Sequence, residues 1–250
     1  MTFLDLHVPG SPLLIPNPWD AGSAQLFERL GARALATTSS GFAATLGHRD
    51  GDVTLEQVLA HCRQLVKAVA VPVSADFENG YGDPAVTYAQ AAATGLAGAS
   101  IEDWSGTALY PLDEAAARVA AARAAAPGLV LTGRAEGYLR GNPSLADAIA
   151  RLQAYAEAGA DVLYAPGLTD VGEIRTLVAE VGKPVNVLLL PGMSVAELAA
   201  AGVARVSVGG WLAWTAWDAA AASARAFLAG QTDWLATAVR GRAEARPVIG

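Results

Sequence analysis

The chain has 250 residues, 53% of them hydrophobic, with a mean hydropathy of +0.32 and a formal net charge of −7. No apolar run reaches the ~18 residues of a membrane span, and no Lys/Arg cluster offers a surface for nucleic acid or acidic lipid. Cys62 is the only cysteine, which excludes a disulfide framework and a cysteine-ligated zinc site.

A chain of this length has room for one large domain, and (β/α)₈ barrels commonly run to it. The opening residues Met1 to Asp5 carry neither a basic region nor a signal-like apolar core, so a cytoplasmic protein is expected. In chain order, short β-branched or apolar runs predict strands over Leu13–Pro16, Ala34–Thr38, Val71–Asp76, Gly98–Glu102, Val130–Arg134, Val162–Ala165, Val185–Leu190 and Val206–Val208. Between and after them, helical patterns cover Ala21–Leu30, Leu55–Val69, Ala85–Thr94, Asp113–Ala125, Leu145–Ala158, Val171–Val181, Val195–Ala200 and Leu212–Leu228. Many close on glycine (Gly31, Gly95, Gly159, Gly182, Gly202), as helix C-termini favour. About eight βα units without a composition break predict a single α/β domain, a (β/α)₈ TIM-type barrel over 1–250 with 231–250 as a C-terminal extension. The competing doubly wound sheet lacks a Gly-x-Gly-x-x-Gly fingerprint at its first helix.

In a barrel the C-terminal strand ends share one rim, where chemistry is expected. That rim would collect Asn17, Trp19 and Asp20; Thr38, Ser39, Ser40, Gly41 and Phe42; Asp76 and Glu78; Glu102 and Asp103; Arg134 and Glu136; and Asn186. Scarcity of other reactive types narrows the chemistry. Lys67 precedes the third strand and Lys183 the seventh, so neither suits a Schiff base. Cys62 and His61 lie in a helix pattern and His7 in the N-terminal arm; of the histidines, only His48, in the loop after the second strand, could reach the rim. A histidine-rich metal centre is excluded, and an oxygen-ligated Mg²⁺ or Mn²⁺ site is preferred.

Asp76 and Glu78 stand i, i+2 at the end of an apolar run, which in a strand puts both on one face. They read as metal anchors, direct or through water; the bland alternative is a solvated turn ahead of a helix capped by Asp83. The adjacent Glu102 and Asp103 face opposite ways, one into the pocket and one towards a neighbour. Thr37 to Phe42, a run of small residues, is assigned to a substrate carboxylate through hydroxyls and backbone N–H groups, against an ordinary βα turn. Arg134 can grip a carboxylate or an enolate oxygen, or pair with a barrel acid, or both. Trp211, Trp214 and Trp217 at i, i+3, i+6 read as core or subunit interface.

With those residues in place the chain resembles the isocitrate lyase and phosphoenolpyruvate mutase superfamily, from Asn17-Pro18-Trp19-Asp20 to Gly209-Gly210. The resemblance is carried by Thr38-Ser39-Ser40-Gly41-Phe42, Leu46-Gly47-His48-Arg49-Asp50, Asp76-Phe77-Glu78-Asn79-Gly80-Tyr81-Gly82 and Ser100-Ile101-Glu102-Asp103. It implies Asp76 as principal Mg²⁺ ligand and Asp50, Glu78 and Glu102 around the metal's water shell. It also implies a carboxylate on Ser40, Gly41 and Phe42, and Arg134 at the substrate's oxygen-bearing end. It further implies a homo-oligomer, dimer or tetramer, often with the last barrel helix exchanged between subunits.

Two departures stand out. The loop Trp104 to Tyr110 has neither the lyases' cysteine nor the mutases' lysine and asparagine, and Pro166 stands where the mutases have histidine. The expectation is therefore a Mg²⁺-dependent lyase cleaving a C–C bond beside a small 2-oxo or 2-hydroxy carboxylate. Ser39, Ser40, Gly41, Phe42, Trp19, Asn186 and Arg134 would hold the substrate, with Tyr81, His48 or Tyr110 as proton donor and Tyr81 leading. The alternatives are an oxaloacetate-type decarboxylase, a phosphonopyruvate-type hydrolase, or a binding protein that kept the cradle without turnover.

Overall fold

The computed structural model of the chain describes residues 2–249; the ends of the expected 1–250 domain, Met1 and Gly250, lie outside them. Eight short parallel strands alternate with helices: β1 Leu13–Ile15, α1 Ala21–Arg29, β2 Leu35–Ala36, α2 Ser39–Thr45, α3 Leu55–Ala68, β3 Val73–Asp76, α4 Pro84–Ala92, β4 Gly98–Glu102, α5 Leu112–Ala125, β5 Val130–Arg134, α6 Leu145–Glu157, β6 Val162–Tyr164, α7 Val171–Val181, β7 Val185–Leu188, α8 Val195–Ala200, β8 Arg205–Ser207, α9 Trp211–Leu228 and α10 Leu235–Ile249. The ladder runs β1-β8-β7-β6-β5-β4-β3-β2, a nearly closed (β/α)₈ barrel. Its seam, between β1 and β2, is bridged by the Ala36 N–H donating to the Pro16 carbonyl at 3.2 Å. Asn17 staples the same seam: its amide donates to the Thr37 carbonyl (3.1 Å) and accepts from the Val208 N–H (2.9 Å).

Local chemistry sets the boundaries. Asp20, Thr54, Asp83, Ser144 and Asp170 each accept a backbone N–H at a helix start, satisfying donors the first turn leaves open. Helix α7 stops at Gly182, whose φ of 64° is left-handed and suits a residue without Cβ. Leu35, Phe77, Ile101, Leu131 and Leu163 are fully buried between barrel and helices. At the opposite end from the rim, Leu6 of a short 3₁₀ turn (Leu4–Leu6) and Phe3 just before it pack with Leu13, Ile15 and Ala34 and plug the barrel floor. Gly98 opens β4 there because a Cβ would lie 2.8 Å from the Phe3 ring.

Two segments differ from the sequence reading. Thr37–Phe42, read as an anion-binding loop, instead runs into α2, a helical turn over Ser39–Thr45 capped by Thr38, and the extension after Gly230, which the helical patterns did not cover, folds as α10 back onto α1, where Arg29 donates to the Glu244 carbonyl at 3.0 Å. Among the described residues no helix is long and apolar enough to cross a membrane.

Candidate active site

Strand β3 ends at Asp76, and the chain then turns so sharply that Glu78 (φ 47°) and Tyr81 (φ 48°) adopt left-handed conformations. Such a conformation costs a non-glycine residue about 1–2 kcal/mol, so the surrounding bonds must hold it. They do: the Glu78 N–H donates to Asp76 Oδ1 (3.2 Å), the Tyr81 hydroxyl to Glu78 Oε1 (3.1 Å), and the Glu102 N–H to the Glu78 carbonyl (2.9 Å). The same-face reading of Asp76 and Glu78 is thus corrected. A turn, not a pleat, sets their relation, because the strand has already ended.

Arg134, at the end of β5, organises the acids. Its Nη1 donates to Asp76 Oδ1 (3.0 Å), its Nη2 approaches Glu102 Oε2 (3.1 Å) and Glu136 Oε1 (2.8 Å), and its Nε also donates to Glu136 (3.1 Å). Three carboxylates from three successive βα units share one partly buried guanidinium. Ser100 adds a hydroxyl bond to Asp76 Oδ1 (3.2 Å). The second acid of the Glu102–Asp103 pair turns away, as adjacent strand positions require. Asp103 accepts from the Tyr155 hydroxyl (2.6 Å), Arg151 (3.1 Å) and the Glu136 N–H (2.8 Å), which fixes the chain that carries Glu136.

Two chambers open on this cluster and share Ser39, Asp50, Arg134 and Leu139 in their walls. The inner one, about 210 Å³ over the barrel mouth, is faced by Asp76, Ser40, Asn186 and Tyr164 among others. The outer one, about 830 Å³, is faced by Glu78, Tyr81, Glu102 and Arg140 beneath the Trp104–Gly106 loop. Arg140 lies 4.7 Å from the Trp104 ring centroid and 3.4 Å from Glu136 Oε2, a buried oxygen that accepts no hydrogen bond.

Five predicted substrate or catalytic residues face neither chamber, Tyr110 among them, whose ring lies 4.5 Å from Arg118 Cζ. Gly41 is buried under Thr38, its N–H already donating to the Thr38 hydroxyl (3.3 Å), and a Cβ there would meet Thr38 Cγ2 at 2.6 Å. The Phe42 N–H donates to the Thr38 carbonyl, and its ring stacks on His61 at 3.9 Å because the fourth position of α2 points back to α3. Trp19 packs edge-on against Phe27, and His48 stands exposed in its loop. Ser39 and Ser40 remain as the chamber-lining part of that run.

The acids are crowded. Burial first, then the Asp76 charge, pushes Glu78 up to about 7. Burial pushes Glu102 up to about 8 although Arg134 pulls it down, and burial also raises Asp50. Burial and the neighbouring Glu78 drive the Tyr81 phenol far above its usual range, so it keeps its proton. The donor set suits a hard cation: only oxygens, in excess of the positive charge nearby. Among the described residues no three His, Cys, Asp or Glu side chains converge on one point. The set therefore fits an ion that keeps much of its water, as Mg²⁺ does, rather than a stripped ion in a protein cage.

Residues 3–228 match the phosphoenolpyruvate phosphomutase family model. The chain belongs to that family. It lies within the isocitrate lyase and phosphoenolpyruvate mutase superfamily of enzymes. A Burkholderia cenocepacia J2315 structure, described as a candidate lyase/mutase, is 45% identical with a TM-score of 0.94, covering 100% of this chain and 95% of the other. An uncharacterized Mycobacterium tuberculosis protein is 35% identical, over 84% of this chain and 82% of its own. The 2-methylisocitrate lyase of Halalkalibacterium halodurans is 30% identical, over 69% of this chain and 61% of its own length.

The sequence reading missed Arg140, Tyr164 and Arg205. Arg205 alone left a visible signal, a charge at the head of β8 between Ala204 and Val206.

Proposed function

We propose that the protein is a Mg²⁺-dependent carbon–carbon lyase for a small 2-oxo or 2-hydroxy carboxylate. The observation that carries this is the ring of Asp76, Glu102 and Glu136 around Arg134, set beside a hydroxyl-lined chamber small enough for a short acid. Asp76 would hold the cation, with Asp50, Glu78 and Glu102 on its water shell; when bound, it supplies positive charge to the 2-oxygen as electrons shift onto it. Ser39 and Ser40 bind the carboxylate, and Asn186 faces the same chamber. Arg134 orients the acids and adds charge at the same edge. Tyr81 holds a proton at its phenol oxygen in the outer chamber and donates it in a hydrogen bond to Glu78 Oε1 (3.1 Å), which places the pair for proton exchange. Outside both chambers, His48 has no part in this reading.

A second reading, decarboxylation of a 2-oxo dicarboxylate, is favoured by one observation. The loop over the outer chamber offers Trp104, Ser105 and Gly106 but no thiol to serve as acid. A 32% identical Bradyrhizobium relative is an oxaloacetate decarboxylase. Release of 2-oxo acid, CO₂ and phosphate should be followed across a panel of 2-oxo and 2-hydroxy acids with Mg²⁺ and with EDTA. The lyase predicts metal-dependent 2-oxo-acid release without CO₂. Ligand-induced thermal stabilisation without turnover of any panel member would leave only the binding protein.

The assembly proposed is a homo-oligomer that exchanges α9. Only Ala213 of that 18-residue helix is buried, while Trp211, Trp214 and Trp217 are 45%, 40% and 52% exposed. Beside its start lies an apolar groove of about 460 Å³ along Leu14, Phe27, Leu30 and Val206, where a barrel would carry its eighth helix. Sedimentation should give a multiple of 25.5 kDa; a monomer at micromolar concentration would overturn the exchange.

A further inference from the structure

Two arginines are buried to below a tenth exposure, Arg151 and Arg205, and they are treated differently. Arg151 pairs with Asp103 and Asp147. Arg205, the first residue of β8, has only neutral partners: its Nε donates to Asn186 Oδ1 (2.9 Å), its Nη2 to Thr132 Oγ1 (3.2 Å), and its Nη1 meets His7 Nε2 (3.3 Å). Among the described residues no carboxylate forms an ion pair with it. A buried guanidinium without a counter-charge is costly, and proteins rarely leave one so.

The arginine also faces the inner chamber, beneath the rim that carries Asp76 and Ser39. Arg134, at the rim, is by contrast shared among three protein acids. Buried Tyr164 lines the same chamber, its ring 5.4 Å from Arg134 Cζ, and Asn186 donates to the Ser207 hydroxyl at 3.0 Å. The chamber floor is thus a cation surrounded by neutral hydrogen-bonding groups, which is what a buried anion needs. A purely structural tie to the His7 plug would require only a neutral donor.

We infer that Arg205 forms a second anion position on the barrel floor, taking the far carboxylate of a ligand whose near end sits at the rim. This rests on the proposed rim site and sharpens it: the ligand is a dicarboxylate, with chain length set by the drop from rim to floor. His7, held neutral by burial and by the arginine itself, serves as an acceptor that keeps the guanidinium aimed.

The test is calorimetry on the Mg²⁺-loaded protein with matched pairs, 2-oxoglutarate against 2-oxopentanoate and malate against 2-hydroxybutanoate, and with oxalate as a two-carbon probe of the rim alone. The dicarboxylate of at least one pair should bind tenfold or more tightly than its partner. Arg205→Gln, which keeps an amide donor but no charge, should erase that ratio and leave oxalate within about twofold; Arg205→Lys should restore part of it. Equal binding within both pairs in the unmodified protein overturns the inference, as does an Arg205→Gln variant that weakens oxalate and dicarboxylate alike. Failure of oxalate to bind would count against the rim site; the floor is then judged by the same ratios measured without metal.

Discussion

Asp76→Ala is expected to abolish Mg²⁺-dependent oxalate binding while leaving the protein folded. The carboxylate is where β3 delivers its only acid to the inner chamber, and its Oδ1 already gathers Arg134, Ser100 and the Glu78 N–H. Its removal frees a guanidinium that still keeps Glu102 and Glu136. The stability cost is then that of lost charged hydrogen bonds, about 1–3 kcal/mol. The binding loss expected from the proposed assignment is of another order, because that assignment gives Asp76 the direct hold on the cation and leaves the other three acids on its water shell. Calorimetry with Mg²⁺ and oxalate separates the two effects. Unchanged oxalate affinity in a folded Asp76→Ala protein would remove the metal assignment.

Arg134→Met should instead be a folding mutation. It strips the shared counter-charge from Asp76, Glu102 and Glu136, the last of which is fully buried. Breaking a buried ion pair from one side costs about 3–5 kcal/mol, and a chain of this size loses about 2–4 °C of Tm per kcal/mol. A fall of roughly 6–20 °C follows from those two figures. The deficit should depend on pH. In the unmodified protein burial pushes Glu78 up to about 7 and Glu102 up to about 8, above their usual 4.5. The stability they contribute is therefore complete below about 4.5 and is lost as pH rises through 7 and 8. Removing Arg134 takes away the one group that lowers Glu102 most, so the variant's deficit should be larger at pH 8 than at pH 5. Thermal unfolding in EDTA at both pH values is the measurement. Equal deficits would assign the loss to packing on Tyr164 rather than to charge.

The barrel was legible in the sequence because buried parallel strands are continuous apolar runs and their helices end on glycine. β4 and β5 begin and end where the pattern puts them. Ala34–Thr38 shrank to Leu35–Ala36 because the chain turns at Thr37 towards the seam and the cap of α2. Helix α2 was hidden by Ser39, Ser40 and Gly41, which carry no apolar period; Thr38 as N-cap was its one cue. That error propagated to the site, since backbone N–H groups free in a loop are spoken for in a helix, as Gly41 and Phe42 are. The acids at strand ends could be read because charge at the end of a buried run needs a reason. The Arg134–Glu136 pair, two residues apart at the end of β5, lies within that reach, but the bonds from Arg134 to Asp76 and Glu102 and the roof formed by Arg140 and Trp104 arise from contacts between units that no short spacing announces.

The left-handed backbone at Glu78 and Tyr81 bears on how this molecule can change. Glycine or asparagine would relax either position, so selection for heat resistance alone would drift towards them and away from the acid and the phenol. The turn therefore trades durability for the acid and the phenol it presents to the outer chamber.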